Sequence, residues 1–542
     1  MNFPFALVTA LLVSMAIIPL LMRLAPRVGM VDLPDARKVH SLPVPRVGGI
    51  GIVVGAIVSI LLWGSLTEWM PAYLFGAIML LMFGAWDDSR ELGHYVKFIG
   101  QFAAAIAVVY WGGVWITHVP FAADGLPAAI GQPFTVIAIV GMINAINHSD
   151  GLDGLAGGES LLSLGCLAYL AHLAGGTQLV VVAAAVIGGV FGFLRFNTHP
   201  ARVFMGDSGS QYLGFTLGVL AVLLTQQANP GLSMAIPLLI LGLPIVDILA
   251  VLAQRIYQRM NWFRATKNHI HHRLLEIGFR HYEAVVIIYG VQAALVTCAV
   301  LARYESDALI AVLYLAVCAL VFATLSIAER KGWRAQHSRL RQNVQAMLKR
   351  LDARGNLARW PLRFIGLGIP AYFVVTSLGL KEISSDCGAV AAVVAAMTLA
   401  GLLLSRTTPY AITLIRLGVF SAAALLVYLT ERNAGAHGGL YSTVQTGYFV
   451  LLALAIGLTI RLSAAEEFRT TPMDYLLIGL VVVSSALAQG QFAGFDLSAV
   501  IIQLVVLLYG CELLINRVGQ KSGPLSLAAF LASVGIALRF AV

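Results

Sequence analysis

Charged residues are what this sequence has least of. Asp, Glu, Lys and Arg make up 11% of its 542 residues, 59% are hydrophobic, and the mean hydropathy is +0.86. No water-soluble domain buries that much apolar surface, so lipid must be the solvent for most of the chain. Cysteine is scarce as well. Cys166, Cys298, Cys318, Cys387 and Cys511 show no metal-ligand spacing and mostly lie in apolar runs, which makes them packing residues rather than redox or zinc ligands. The first apolar run, residues 3–22, has no basic stretch before it and no small-residue cleavage site after it, so it reads as a retained helix rather than a signal peptide. Two loops, 112–133 and 226–233, contain no Lys or Arg at all.

What is present is a succession of apolar runs, each about 17 to 23 residues long. They give roughly eighteen transmembrane candidates, about eleven before residue 329 and about seven after 363. The fold class is therefore an all-α polytopic integral membrane protein. Basic residues occupy alternate loops: Arg23, Arg27, Arg37, Lys38 and Arg46, then Arg90 and Lys97, then Arg195 and Arg202, then the stretch from Arg255 to Arg280. That asymmetry assigns their side to the cytoplasm, and the net charge of +9 needs no nucleic acid to explain it. Residues 329–363 form the one long polar segment. Leu340, Val344, Met347 and Leu351 recur there at helical spacing among basic residues, the pattern of an amphipathic helix on an anionic leaflet. It divides a membrane domain, 1–328, from a second membrane module, 364–542.

Against so apolar a background the polar clusters stand out, and all fall at cytoplasmic ends of the runs. Residues 144–158 hold Asn144, Asn147, His148, Asp150 and Asp153, with glycines at 151, 154, 157 and 158. Ionisable groups at bilayer depth cost several kcal/mol unless they find water, a cation or a partner. If the backbone is helical here, the three-residue spacing puts both carboxylates on one side, and the glycines let a ligand approach the backbone. Asp87 and Asp88 end another run, where adjacent carboxylates suggest a cation, and Lys97 opens the next helix. Asp207, between Gly206 and Ser208, can act as a hard oxygen ligand. Asp247, inside an apolar run, reads as a cap or packing brace. His269, His271 and His272 fit a transition-metal site, a phosphate clamp or a solvated helix start; their cationic surroundings, Arg264 and Lys267 among them, favour the clamp. In the first loop Arg37, Lys38 and Arg46 suit a membrane-anchored phosphate, or are ordinary positive-inside charges. The four clusters together read as one site for a metal-bound diphosphate.

In this order and spacing, segments 32–49, 87–88, 144–158, 203–210 and 269–275 resemble the bacterial polyprenyl-phosphate N-acetylhexosamine-1-phosphate transferases over residues 1–325. The nearer branch initiates O-antigen, common-antigen and teichoic-acid synthesis. The resemblance implies transfer of a sugar 1-phosphate from a UDP-N-acetylhexosamine, with N-acetylglucosamine the expected sugar, to undecaprenyl phosphate with release of UMP. It also implies Mg2+ or Mn2+ and a site on the cytoplasmic face of the inner membrane, and it leaves room for a homodimer. By resemblance Asp207 is the metal ligand, and Asp87 and Asp88 hold the metal or activate the lipid phosphate. Asp150 and Asp153 lie near nucleotide and metal, and His269, His271 and His272 contact phosphate. Lys97 matches a family lysine; Asn144, Asn147, Arg37, Lys38, Arg46, Arg264 and Lys267 complete the substrate-binding candidates. Two departures, His148-Ser149 for an apolar pair and Thr266 for an aspartate, bear on the choice of sugar. Residues 361–542 have no counterpart in the family.

Two rival readings exist. A transporter or flippase of a lipid-linked sugar would place acids and arginines in mid-helix, whereas these sit at helix ends. A transferase followed by a product-handling module would explain the second half, as would a scaffolding extension. Of the two routes open to the transferase, direct attack by the lipid phosphate is favoured over a covalent aspartyl intermediate, since a phosphate dianion needs little activation.

Overall fold

The computed structural model describes residues 2–541 apart from 35–42, 67, 91, 123, 261–267, 336–358, 382, 405–410, 434–438, 463–496 and 519–522. It contains two compact units, one running from Met1 to His337 and one holding the helices from Arg359 onward. In the first unit, α1 (Phe3–Leu24) leads into a two-residue hairpin, β1 (Val31–Asp32) against β2 (Val44–Pro45), and then α2 (Gly48–Trp63) and α3 (Met70–Arg90). Next come α4 (His94–Ile106), α5 (Ala128–Ser149), α6 (Leu155–Leu173), α7 (Thr177–Asn197) and α8 (Gly206–Leu223). A short α9 (Ile236–Ile240), α10 (Gly242–Tyr257), a seven-residue α11 (Ile270–Glu276), α12 (His281–Leu301) and α13 (Asp307–Arg330) complete the unit.

The eleven expected apolar helices correspond to α1 to α8, the α9–α10 pair, α12 and α13; α11 is the addition. Ten helices among the described residues are long and apolar enough to cross a membrane, seven of them in this unit. The others are shorter or less apolar: α2 and α10 have 16 residues each, and α4 has 13 before it loosens into a π-helical turn at Ala107–Trp111.

One expected helix, residues 237–257, is broken at Leu241. Pro244 has no N–H to give the carbonyl four residues back, that of Ile240. Ser163 Oγ and Gln292 Nε2 take over that oxygen at 2.8 and 2.7 Å, and Tyr314 Oη donates to the carbonyl of Gly242 at 3.0 Å. Neighbouring side chains thus satisfy the freed backbone groups, the condition for a break at membrane depth.

The central member is α8, buried along its whole length. Helices in lipid associate through close van der Waals contact, which small residues permit. A Cβ on Gly49 of α2 would lie 2.2 Å from the Gly209 nitrogen, one on Gly84 of α3 would lie 2.4 Å from Ser208 Cα, and one on Gly214 would lie 2.6 Å from Ile143 Cα in α5. Tyr73 Oη adds interhelical hydrogen bonds to Tyr212 and Thr216 at 3.0 and 2.9 Å. These contacts seat the N-terminal end of α8 among α2, α3 and α5.

Among the described residues the second unit shows six helices: Arg359–Gly379, Ser385–Leu404, Ala411–Arg432, Gly439–Leu462, Leu497–Val518 and Gly523–Ala541. They share a core that includes Ile369, Phe373, Val419, Leu426 and Cys511. The seventh expected run lies outside the described residues, as does the expected amphipathic helix around residues 340–351. Within this unit Arg416 Nε lies 2.9 Å from Glu512 Oε2.

The packing of α8 carries a direct expectation. Gly84→Ala forces backbone against backbone and should destabilise the protein by about 1–3 kcal/mol, the range for overpacking a close contact. Gly165→Ala on α6, where a Cβ meets nothing within 4 Å, should leave thermal denaturation in detergent nearly unchanged. Equal midpoints for the two variants would refute the close seat assigned to α8.

Candidate active site at the buried end of α8

The loop before α8 is woven into the start of α2. Phe204 N–H donates to the Pro45 carbonyl at 2.8 Å, Gly48 N–H to that of Phe204 at 2.9 Å, and Gly49 N–H to that of Met205 at 2.8 Å. Gly206, at φ +73°, then turns the chain into the helix. The first N–H groups of a helix have no partner within it and need acceptors from elsewhere. Asp88, at the end of α3 and 5% exposed, supplies them: Oδ1 accepts from Asp207 N–H at 2.9 Å, and Oδ2 from Ser208 N–H at 3.2 Å and Ser208 Oγ at 3.1 Å. A Cβ on Gly206 would lie 2.6 Å from either oxygen, so only glycine fits. Asp88, expected beside Asp87 as a metal ligand or acid, thus caps α8 from a neighbouring helix through both of its oxygens.

Asp87 and Asp207 point the other way, onto one cation. Lys97 Nζ lies 2.7 Å from Asp87 Oδ2 and 2.8 Å from Asp207 Oδ2. Asp207 also accepts from Asn147 Nδ2 at 3.1 Å and Gln211 Nε2 at 3.0 Å, and Asp87 Oδ1 from Leu92 N–H at 2.6 Å. Two carboxylate oxygens within ligating reach of a single point are the donor set a hard divalent cation takes. Asn147 reaches Ser210 Oγ as well, at 2.8 Å. Asn144 sits one layer further back, donating to Gln101 Oε1 at 2.8 Å, while Gln101 Nε2 donates to Gln211 Oε1 at 3.3 Å. Asn144 therefore steadies Gln211 rather than facing a ligand. Gln101 and Gln211 were legible only as amides inside apolar runs.

Between α5 and α6 the chain is not helical, and the two carboxylates expected on one side diverge. α5 ends at Ser149, and Gly154, at φ +81°, starts α6. Asp150 stays near Asp207. Burial, then the charges of Asp207 and Asp153, push its carboxyl up to about 7. Asp153 turns to histidines that sequence reasoning passed over: His199 Nδ1 lies 2.7 Å from its Oδ2, and its N–H donates to His281 Nε2 at 3.1 Å. Burial raises this carboxyl, but the His199 hydrogen bond, His281 and the Ala201 N–H outweigh it and hold the group below the usual range. The rings of His199 and His281 stack at 4.2 Å. These three residues could geometrically hold a metal, with ligand atoms within 4.8 Å of one another, but their mutual hydrogen bonds make them a brace across three loops.

The glycines divide similarly. A Cβ on Gly151 would lie 2.2 Å from His271 Nε2, so that glycine admits a site residue, whereas Gly157 and Gly158 face Leu194 and Tyr289 and serve helix packing. Ser149, one of the departures, donates to the buried Glu159 Oε2 at 2.6 Å.

The histidine motif opens α11, which is tucked back against α10. Asp247 of α10 accepts from Ile270 N–H at 2.8 Å through Oδ1, and its Oδ2 lies 2.7 Å from His269 Nδ1. His269 meets the His148 ring edge-on at 5.6 Å and stacks on His271 at 5.7 Å. Burial, then the neighbouring His272, pull His271 down to about 3, so it is neutral in the protein alone. Arg255, largely buried, adds a guanidinium charge felt at His148. Arg273 clamps α11 to the end of α13 through two 2.8 Å contacts with Glu329, and Ala335 N–H donates to the Ile277 carbonyl at 3.1 Å. In the first loop Arg46 is ion-paired with Asp32. Arg37, Lys38, Arg264, Lys267 and Thr266 lie outside the described residues.

The sequence pattern of glycosyl transferase family 4 matches residues 70–225, which span Asp87, Asp88, Asp150, Asp153 and Asp207. A probable undecaprenyl-phosphate N-acetylglucosaminyl 1-phosphate transferase of Bacillus subtilis is 36% identical over 287 residues, 52% of this chain and 80% of that protein. A decaprenyl-phosphate N-acetylglucosaminephosphotransferase of Mycobacterium tuberculosis is 31% identical over 303 residues, 49% and 74% of the two chains. The undecaprenyl-phosphate alpha-N-acetylglucosaminyl 1-phosphate transferase of Escherichia coli K12 is 28% identical over 294 residues, 52% and 79%. The C-terminal half is unmatched. With a relative of that identity covered over most of its length, this chain is a multi-pass membrane enzyme and belongs to glycosyl transferase family 4.

Proposed function

We propose that the first unit transfers N-acetylglucosamine 1-phosphate from its UDP derivative to undecaprenyl phosphate, releasing UMP, with Mg2+ or Mn2+ and at the cytoplasmic face of a bacterial inner membrane. The observation that carries this reading is the convergence of Asp87 and Asp207 on one cation at the end of a buried helix. The relatives' names supply the substrates, and the basic loops on the site's side supply the orientation.

Both reactants are anionic, so their approach needs positive charge at the point of contact. Asp87 and Asp207 would hold the divalent ion, which when bound neutralises the diphosphate and the departing UMP. Lys97 lies at that same point and can donate to phosphoryl oxygens brought to it. Asp150, poised near neutrality, accepts the proton of the lipid phosphate, and the dianion attacks the sugar-side phosphorus directly. His269, His271 and His272, with Arg255, line the far wall, the imidazoles serving as donors once protonated. An arriving phosphate favours the charged form of a buried imidazole such as His271. A greasy acceptor is supported by a cavity between α10 and α13, lined by Leu243, Ile270, Leu274, Phe279, Ile288 and Leu325. It lies along one stripe of α11 while His271 faces Gly151.

Three measurements test this reading. Asp207→Asn should abolish metal-dependent release of UMP from UDP-N-acetylglucosamine and undecaprenyl phosphate, and turnover near the parent rate would remove Asp207 from the metal site. Asp150 has a raised folded value, so its contribution to stability is full below the unfolded value and disappears as pH climbs through the folded one. In EDTA, the melting temperature of the parent should therefore fall relative to Asp150→Asn as pH rises between 3.8 and about 7. Parallel curves would contradict the burial assigned to this carboxyl. Finally, a chain ending at His337 should keep turnover, whereas one ending at residue 328 loses the Glu329 and Ala335 contacts with α11 and should fall at least tenfold, roughly 1.4 kcal/mol. Equal activity of the two would show that those contacts do not position the histidines.

A further inference from the structure

We propose that Asp247 is a positioning residue that fixes the tautomer and aim of His269, leaving Nε2 of that ring to act on the phosphoryl group. The inference rests on the transferase reading above for the identity of the reacting group, but not for the pairing itself.

Asp247 and His269 are 22 residues apart, on α10 and at the start of α11, and both are buried, at 8% and 7% exposure. An ionised carboxylate only accepts hydrogen bonds. One Asp247 oxygen already accepts the Ile270 N–H, so the other, 2.7 Å from His269 Nδ1, can only be met by an N–H on that nitrogen. The proton is thereby held on Nδ1, and Nε2 is left as the site that takes up or gives a proton. A histidine oriented through one nitrogen so that the other can work is the arrangement found in triads and around metal-bound imidazoles. The break at Leu241–Gly242 places Asp247 in the second turn of α10, where it can reach α11. Beyond it α10 runs on to Ile256 and Tyr257, which are exposed. The bland alternative is that Asp247 is only an N-cap for α11, and one substitution separates the two.

Asp247→Asn keeps a carbonyl oxygen for the Ile270 N–H, and asparagine caps helices as well as aspartate does. Its amide, however, presents N–H groups to His269 Nδ1 and drives the ring proton to Nε2. In the full-length protein this variant should melt near the parent temperature, keep its KM for UDP-N-acetylglucosamine, and lose kcat by about 100-fold or more, the lower range for a lost acid–base group. In a His269→Gln background the same change should add no further loss, since the two residues act as a unit. A capping role alone predicts parent-like kcat, and that result would overturn the proposal.

A second readout needs no substrate. With 15N-labelled histidine, and His269→Gln to identify the signal, the parent should show His269 protonated on Nδ1 and Asp247→Asn should show it protonated on Nε2. Observing Nε2–H in the parent would sink the dyad even if the enzyme is active. A parent inactive on UDP-N-acetylglucosamine but with Nδ1–H on His269 would fault the substrate assignment and leave the dyad supported.

Discussion

The constraint on which the site depends is the need to pair the first N–H groups of α8. That end is packed among α2, α3 and α5, with Ser208 fully buried, and its N–H groups need an acceptor from elsewhere. Asp88 arrives from α3 and meets Asp207 N–H and Ser208 N–H together. Its approach leaves no room for a side chain at Gly206, and the close seats at Gly49 and Gly84 bring α2 and α3 near enough for the bond to form. The position of Asp207 is thus held by a second carboxylate, that of Asp88. The Asp87–Asp88 pair divides between two partners from successive positions of one helix, one facing Lys97 and one facing the backbone of α8.

That division also resolves an electrostatic difficulty. Three aspartates crowded at one point would repel one another, and a diphosphate would worsen the excess. Asp88 has its charge met by the N–H groups at the positive end of α8. Asp87 and Asp207 share the ammonium of Lys97, and Asp153 is taken out of the centre by His199 and His281. Asp150 lacks such a partner among the hydrogen bonds described, and burial, then the charges of Asp207 and Asp153, push its carboxyl up to about 7.

The chain shows which parts of such a site can be read from sequence. With so few charged residues, nearly every polar cluster was conspicuous, and Asp87, Lys97, Asn147 and Asp207 do meet, with Asp150 close enough to feel the charge of Asp207. The site of convergence was legible because each cluster ended an apolar run on the basic side. The partners were not, since hydrogen bonds such as Asp88 to Ser208 or Asp247 to His269 join positions with no sequence relation. Spacing misled at Asp150 and Asp153, because α5 ends at Ser149 and α6 starts only after Gly154, so no helix joins the two. The break at Leu241 was readable in Pro244, but the Ser163 and Gln292 groups that make it tolerable at membrane depth lie on other helices.

Hydropathy ends the first membrane domain at residue 328, where α13 stops being apolar, and contacts within this unit continue to Ala335. Glu329 at the end of α13, and Trp333 and Ala335 beyond it, meet α11 and the residues just after it. Glu329 holds Arg273, Trp333 packs on Phe279 with ring centroids 5.8 Å apart, and Ala335 bonds the Ile277 carbonyl. A helix of seven residues is too short to be stable on its own and takes its position from whatever grips it. Here Asp247 grips its beginning and the segment leaving α13 grips its end. The histidines are therefore held from two directions, and one hold is made by the first residues of the connection to the second unit. A hydropathy average counts the residues of one stretch and not the partners they meet, so it separates the polar clamp from the apolar helix it completes.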